Sequence, residues 1–543
     1  MTERLRRYLP AILILACGVF AFFLSYRQKE LAPGEPERVE RIARKKPQLS
    51  SVAKDTDTNI VETLSALPSG LEIEAFSSYH PNELILRFPT QESYATTINL
   101  VRRSPVRLLR QIDALRAVRL GYNEWQDMAV LLNSANISKL KPINSHPSVG
   151  RPIPGIGDKA LAFKNSVNSW LGVTSDISQM GKGVKIAVID TGVVPHAEIP
   201  SLYRSIEIEP FPGDLTMTHP HGTSVASLIT GKGPGVIGLA PAARLISIRA
   251  IDESGSTDGF NIAAAILMAV DEGAQIINLS LGSASQTSLE KDAVEIALAR
   301  GVVIVAGSGN DGQDRLLYPA AYPGVISVGA LDAGGERMVF SNAGENLTIT
   351  APGYGIFAAA PGEKYLHFSG TSASAPIVTG ALAAIMSDSS GRAVSAGEAV
   401  KVLLENADDI GLPGQDPEYG YGILNMNRVF TRTIPGILDA AITDVRLLNG
   451  GGGRIPTEIG VTVQNRGTAT IINAELTVAT AGGVSKKYVT LGTREIETFT
   501  SPLDANSGNA GPFQVDSSII LPASDHDITP DNNISRNIFS LPR

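Results

Sequence analysis

Asp190 ends the apolar run Val188-Ile189-Asp190-Thr191-Gly192, His221 opens His221-Gly222-Thr223-Ser224-Val225-Ala226, and Ser372 lies in Gly370-Thr371-Ser372-Ala373-Ser374-Ala375-Pro376. Together these side chains have a coherent chemistry. A hydroxyl is a weak nucleophile until a base takes its proton, and an imidazole serves as that base when a carboxylate orients it and stabilises its charged form. The reaction class is acyl transfer through a covalent intermediate. Asn310, in Ala306-Gly307-Ser308-Gly309-Asn310-Asp311-Gly312, supplies an amide that could donate to a tetrahedral oxyanion. Two structural alternatives stand beside this reading. A serine that precedes a small-residue apolar stretch makes a good helix N-cap, and His219, two residues before His221, could compete as the base.

Groups so far apart in the chain need a rigid frame to meet. Val184–Ile189, Leu245–Ile248, Ile276–Leu279, Val302–Val305 and Val325–Val328 are short and almost wholly apolar, and they alternate with helical runs. The helices expected are one starting near Gly222, Ile262–Asp271, Leu289–Arg300 with Gly301 as its cap, and one starting near Ser372. Strands of this kind imply a parallel sheet covered on both faces, and such sheets present ligands at their carboxyl ends. Asp190 falls at such an end.

The ordered motifs resemble the subtilisin-like serine protease family. The aspartate motif reads Asp190-Thr191-Gly192, the histidine motif His221-Gly222-Thr223, the serine motif Gly370-Thr371-Ser372 with Ala375-Pro376, and Gly309-Asn310 stands between the last two. Connecting segments agree as well, among them Gly238-Leu239-Ala240-Pro241, Asn278-Leu279-Ser280-Leu281-Gly282, Tyr318-Pro319 and Gly420-Tyr421-Gly422, so that the likeness covers roughly 182–430. It implies Ser372 as nucleophile, His221 as general base and then acid, Asp190 as the orienting carboxylate, and Asn310 with the Ser372 N–H as oxyanion donors. It further implies a cleft for an extended polypeptide between Ser280-Leu281-Gly282 and Ser254-Gly255-Ser256. The first specificity pocket would be lined by Gly307-Ser308-Gly309 and floored by Leu317. No cofactor and no metal are implied. Ala373 and Ser374 depart from the family's usual residues, and Thr230–Val236 lacks the oxygen-ligand loop of the strong calcium site in secreted subtilisins.

The chain has 543 residues, too many for one core, and its net charge of −8 offers no basic surface for nucleic acid. The single cysteine, Cys17, rules out an intrachain disulfide. Residues 9–24 form an uncharged run behind Arg4, Arg6 and Arg7, with no small-x-small cleavage signal after it. This reads as a signal anchor with the body outside the cytoplasm. Five segments follow: 1–27, cytoplasmic tail and anchor; 28–70, linker; 71–148, a propeptide-like unit; 149–435, the peptidase domain; 436–543, a β-sandwich. Within 71–148 the expected order is β-α-β-β-α-β, a ferredoxin-like plan, with strands at Glu83–Phe88 and Ile137–Ile143. The resemblance makes this unit a folding aid and intramolecular inhibitor, cut between Ser145 and Gly155, so that cleavage also frees the body from the membrane. The tail resembles bacterial adhesion-related immunoglobulin-like domains. The fold class expected is therefore α/β, with a parallel sheet covered by helices, preceded by an α+β prodomain and followed by an all-β sandwich. A rival to the enzyme reading is a non-catalytic adhesion or scaffold protein that keeps the protease fold.

Overall fold

The computed structural model describes residues 82–135, 160–211, 219–387, 394–449, 456–503 and 512–541. The first of these segments folds as β1 (Glu83–Arg87), α1 (Gln91–Val101), β2 (Arg107–Ile112), β3 (Ala117–Gly121) and α2 (Trp125–Ser134), with the strands antiparallel in the order β1-β3-β2. Alternation along these strands gives the sheet two apolar faces. Leu84, Leu86, Val118 and Leu120 pack with Tyr94, Met128 and Leu131 of the helices. Ile85, Ile112 and Ala117 instead join a core cluster of the central body. The expected strand Ile137–Ile143 and the run 9–24 lie outside the described residues. Among the described residues no helix is long and apolar enough to cross a membrane.

The central body is a seven-stranded parallel sheet. In chain order its elements are β4 (Lys185–Asp190), β5 (Leu202–Glu207), α3 (His221–Thr230), β6 (Arg244–Arg249), α4 (Gly259–Asp271), β7 (Ile276–Leu279), α5 (Ser288–Ala299), β8 (Val303–Gly307), β9 (Ile326–Leu331) and β10 (Ile349–Pro352). An antiparallel hairpin, β11 (Ile356–Ala360) and β12 (Lys364–Phe368), leads into α6 (Thr371–Met386), followed by α7 (Ala396–Glu405) and α8 (Met426–Thr431). Strand order is β10-β9-β8-β7-β4-β6-β5. The chain builds to one side of β4 and then crosses back to β7, which creates a crevice beyond their carboxyl ends. Asp190 closes β4, and Ser280 follows β7.

Burial explains why these strands are apolar nearly throughout. On one face Ile186, Val188, Leu245 and Val305 pack with Val225, Ile229, Val378 and Leu382 of α3 and α6. On the other, Ala187, Ile189, Ile246 and Ile304 pack with Phe260, Ile266, Leu289 and Val294 of α4 and α5. The N-terminal unit sits on this second layer. Arg119 of β3, almost wholly buried, donates to Glu209 at 2.9 Å and to Asn261 at 3.2 Å, pairs with Asp258 and lies over the Phe260 ring.

Downstream, β13 (Ala440–Leu448), β14 (Glu458–Asn465) and β17 (Ile496–Pro502) form one antiparallel sheet. A second is formed by β15 (Ile471–Thr480), β16 (Gly483–Leu491), β18 (Phe513–Ile520) and β19 (Ile534–Phe539). Val461, Val463, Leu476, Val489, Phe499 and Val515 make up their common core. The α/β class, with all-β antiparallel sheets at its carboxyl end, is the one expected from the sequence.

Candidate active site

Asp190, His221 and Ser372 come from three different elements at one rim of the sheet. Asp190 is fully buried, and both of its oxygens lie 2.9 Å from His221 Nδ1. Its Oδ1 also accepts from Thr191 N at 2.7 Å, which fixes the carboxylate plane. The neighbouring motif residues hold the strand end to the helix start. Thr191 Oγ1 accepts from Gly222 N and donates to the carbonyl of His219, both at 3.0 Å, while Thr223 Oγ1 accepts from Val194 N at 3.0 Å. Position 222 tolerates no side chain, because a Cβ there would stand 2.3 Å from the Gly192 carbonyl oxygen. That close approach is what brings His221 within reach of Asp190.

Burial pulls the His221 imidazole down. The charge of Asp190 and its hydrogen bond outweigh that effect and hold His221 above its ordinary value. His219 behaves differently. Its Nδ1 accepts from His221 N at 3.3 Å, and burial together with the neighbouring His221 pushes it below its ordinary value, outweighing the opposing charge of Asp190. Geometry therefore separates the two histidines. The His221 ring is held edge-on by Phe368, with centroids 5.2 Å apart, a contact that nothing in the spacing of motifs pointed to.

Ser372 is the second residue of α6, whose N-cap is Gly370 with φ of 120°. The alternative of Ser372 as the cap is thereby set aside. Its N–H belongs to the first turn, where no intrahelical carbonyl is available, so it can serve a developing negative charge. Pro376 lies inside the same helix and lacks the N–H that the Ser372 carbonyl would normally receive. Ser280 Oγ supplies the missing donor at 3.1 Å, and in return the Ser372 hydroxyl donates to the Ser280 carbonyl at 3.2 Å. Asn278 steadies this link by donating to Ser280 Oγ at 2.9 Å. In this resting geometry the Ser372 proton points to a carbonyl rather than to an imidazole nitrogen. Unliganded hydrolase sites often show the nucleophile and base loosely aligned.

Asn310 is oriented by its surroundings. Its Oδ1 accepts from Thr371 N at 2.9 Å and from Thr371 Oγ1 at 3.1 Å. Because a backbone N–H can only donate, the side-chain oxygen must face Thr371, which leaves the Nδ2 hydrogens as the outward donors. Asn342, which the motifs did not reveal, braces this loop. It is fully buried, accepts from Asp311 N at 2.9 Å and Gln313 N at 3.2 Å, and donates to the Arg315 carbonyl at 3.0 Å.

The Gly307-Ser308-Gly309 segment is buried. Ser308 N donates to Val328 at 2.9 Å, and its hydroxyl donates to the Asn342 carbonyl at 3.0 Å. Gly309 has φ of 121°, and a Cβ there would lie 2.4 Å from Asn342 Nδ2 and 2.8 Å from Leu317 Cγ. Leu317 thus borders Gly309, and it lies against Gly282 as well. Leu281 is buried and Gly282 half-buried beside the end of β7. Across the crevice, Ser254-Gly255-Ser256 forms a turn instead of a regular strand. Asp252 takes its three amides: Oδ1 accepts from Ser254 N at 2.8 Å and Ser256 N at 2.9 Å, and the carbonyl accepts from Gly255 N at 3.1 Å. The Ser256 carbonyl in turn accepts from Asp252 N at 2.9 Å.

Glu198 has a different task. Its carboxylate accepts from Gly235 N and Val236 N, each at 3.1 Å, and from the Tyr365 hydroxyl at 2.7 Å. It latches the loop that follows α3 to β12. Among the described residues no group of three or more His, Cys, Asp or Glu side chains is placed to hold a metal ion.

The subtilase family, Peptidase S8, matches residues 181–422. The thermophilic serine proteinase of Bacillus sp. strain AK1 is 34% identical over 269 residues, which are 49% of this chain and 66% of that protein. Subtilisin Savinase of Lederbergia lenta is 38% identical over 207 residues, 38% of this chain and 77% of the relative. For the alkaline protease of Shouchella clausii the same 207 residues span only 54% of the relative. Among solved structures, the epidermin leader peptide processing serine protease of Staphylococcus aureus superposes with a TM-score of 0.54 at 22% identity, over 65% of this chain and 99% of that one, a likeness of fold. On these matches, the chain belongs to the subtilase family of subtilisin-like serine proteases.

Proposed function

We propose that the chain is a serine endopeptidase that hydrolyses peptide bonds through an acyl-enzyme on Ser372. The observation that carries this reading is the buried contact of His221 with both Asp190 oxygens at 2.9 Å, with Ser372 in the first turn of α6 bonded to Ser280, which follows β7, the strand beside β4. Leaving the Ser280 carbonyl, the Ser372 hydroxyl gives its proton to His221 as Oγ attacks the substrate carbonyl. The tetrahedral oxyanion is met by Asn310 Nδ2 and the Ser372 N–H. His221, now charged and steadied by Asp190, returns the proton to the leaving amine. Water then enters and is activated by the same imidazole to release the acyl group. The substrate lies extended along Ser280-Leu281-Gly282 and the Ser254-Gly255-Ser256 turn, with its first side chain against Gly307-Ser308-Gly309 and Leu317. Main-chain pairing of that kind gives affinity with little demand on sequence.

The wider organisation belongs to the same proposal. Residues 71–148 act as a propeptide, and the seating of β1–β3 on α4 and α5 supports this reading. Cleavage between Ser145 and Gly155 releases a body that was exported behind the 9–24 span. The 436–543 segment is an immunoglobulin-like accessory domain. Peptide hydrolysis by the purified chain tests the central reading: casein cleavage lost in both Ser372→Ala and His221→Ala, and retained in His219→Ala, supports it. Equal activity in all four proteins refutes it and favours the non-catalytic alternative.

A further inference from the structure

Arg119 reaches from β3 of the N-terminal unit into a pocket of the central body. Its Nη1 donates to Glu209 Oε2 at 2.9 Å and to Asn261 Oδ1 at 3.2 Å, its Nη2 pairs with Asp258, and its guanidinium carbon stands 5.1 Å from the centroid of the buried Phe260 ring. From its own unit, Glu83 lies 3.6 Å from its Nε, and Arg110 also acts on Glu209. The body's groups hold one another. Asp258 Oδ1 caps α4 by accepting from Asn261 N at 2.9 Å, and Asn261 Nδ2 donates to Glu209 Oε1 at 2.9 Å, which turns the amide oxygen toward Arg119. Neither bond uses the N-terminal unit, so these acceptors stay oriented when Arg119 leaves. Acceptors spread over both terminal nitrogens, above an aromatic face, suit a planar guanidinium better than an ammonium.

The pocket also lies in line with the proposed cleft. The Ser254-Gly255-Ser256 turn runs through Thr257 into Asp258, and the segment after β7 runs into α5. The two helix starts touch, since a Cβ at Gly259 would stand 2.5 Å from Thr287 Oγ1. A polypeptide laid between the two edges and followed away from Ser372 leads toward the start of α4. We infer that this pocket, once the N-terminal unit is removed, takes an arginine side chain of the polypeptide substrate on the acyl side of the scissile bond. Arg119 then holds, in the precursor, the place of a substrate arginine. This inference rests on the proposed peptidase and propeptide readings and adds to them a class of substrate.

Two measurements separate the chemistry of the pocket from the peptidase reading. In the full chain with Ser372→Ala, Arg119→Ala opens the pocket, and methylguanidinium is titrated against methylammonium at constant ionic strength with thermal unfolding as the readout. A saturable rise in Tm with methylguanidinium alone is expected, absent when Arg119 is present and lost on adding Asp258→Asn. Responses that do not saturate, or that are equal for the two cations, overturn the inference. The active, self-cleaved chain is then given peptides of one sequence that carry arginine, citrulline or lysine at successive single positions before the cleaved bond. At one position arginine should raise kcat/KM about tenfold over citrulline and over lysine, a preference that Glu209→Gln reduces. No advantage for arginine at any position overturns the inference. A chain that cleaves none of the peptides while the titration succeeds overturns the peptidase reading, and with it the substrate assignment, but not the guanidinium pocket. Should Arg119→Ala fail to fold, the peptide series with Glu209→Gln decides the matter.

Discussion

Glu290→Gln offers a perturbation whose size follows from the structure. Glu290 is 4% exposed in the first turn of α5, and its N–H donates to Thr287 Oγ1 at 3.1 Å. That is half of a capping box. In the other half a glutamate accepts from the capping residue's own N–H, but here Tyr322 takes that place, its hydroxyl accepting from Thr287 N at 3.3 Å. Burial therefore acts on the carboxyl unopposed and pushes it from 4.5 up to about 8. The folded chain keeps a proton that the unfolded chain releases at lower pH. Protonation favours folding, so this contribution is intact below the unfolded value and is lost as pH climbs through the folded one. The slope is about 1.4 kcal/mol per pH unit, which sums to about 3 kcal/mol by pH 7 and about 5 kcal/mol above pH 8. Glutamine has nearly the same shape and does not titrate. In the Ser372→Ala background, Glu290→Gln and its parent should melt together near pH 4.5. By pH 7 the variant should lead by about 6–12 °C. An offset that is constant from pH 5 to pH 8, or one that shrinks, refutes the reasoning.

Three more outcomes follow from contacts described above. Asp190→Asn should lower kcat by about 10³–10⁴ and, with burial of His221 no longer opposed, move the acid limb of the kcat/KM profile to lower pH; a limb that stays put or rises contradicts the Asp190–His221 link. Arg119→Met leaves Asp258 buried without this partner, a change worth about 3–5 kcal/mol, so amide exchange in β1 and β3 of the uncleaved chain should speed up while β7 and β8 stay protected. Glu198→Gln should weaken the charge-assisted latch on Gly235 and Val236 and lower Tm by several degrees; a calcium-dependent rise in Tm that maps to the 230–238 loop would contradict the reading that a carboxylate holds this loop directly.

The central sheet was legible because its strands are buried on both faces, so that Val184–Ile189 or Val302–Val305 betray themselves by composition alone. Edge and half-buried elements gave no such sign. β5 reads Leu-Tyr-Arg-Ser-Ile-Glu and sits exposed at the sheet margin, and hairpin β11–β12 mixes alanines with lysine and histidine. In the C-terminal region the β-rich runs Glu458–Val463, Ala474–Val478 and Lys487–Leu491 mark β14, β15 and β16, while β13, β17, β18 and β19 were not picked out, their apolar residues being diluted by the polar outer face. At the site, the triad and Asn310 stood out because each lies in a motif whose glycines and threonines hold it in place. Asn342 and Phe368 did not, since a buried amide bracing a loop and a ring steadying an imidazole act through tertiary packing. The Ser280–Ser372 exchange was invisible for the same reason, although Pro376, which makes it necessary, was in plain view.

A fluorophosphonate probe gives the most direct measurement of whether a carboxylate, an imidazole and an alcohol act together here. Peptide mapping of the labelled full chain should place one adduct on Ser372, with none formed in Ser372→Ala and labelling slowed by several orders of magnitude in His221→Ala. An adduct on another residue, or labelling of Ser372 that is indifferent to His221, would contradict the assignment.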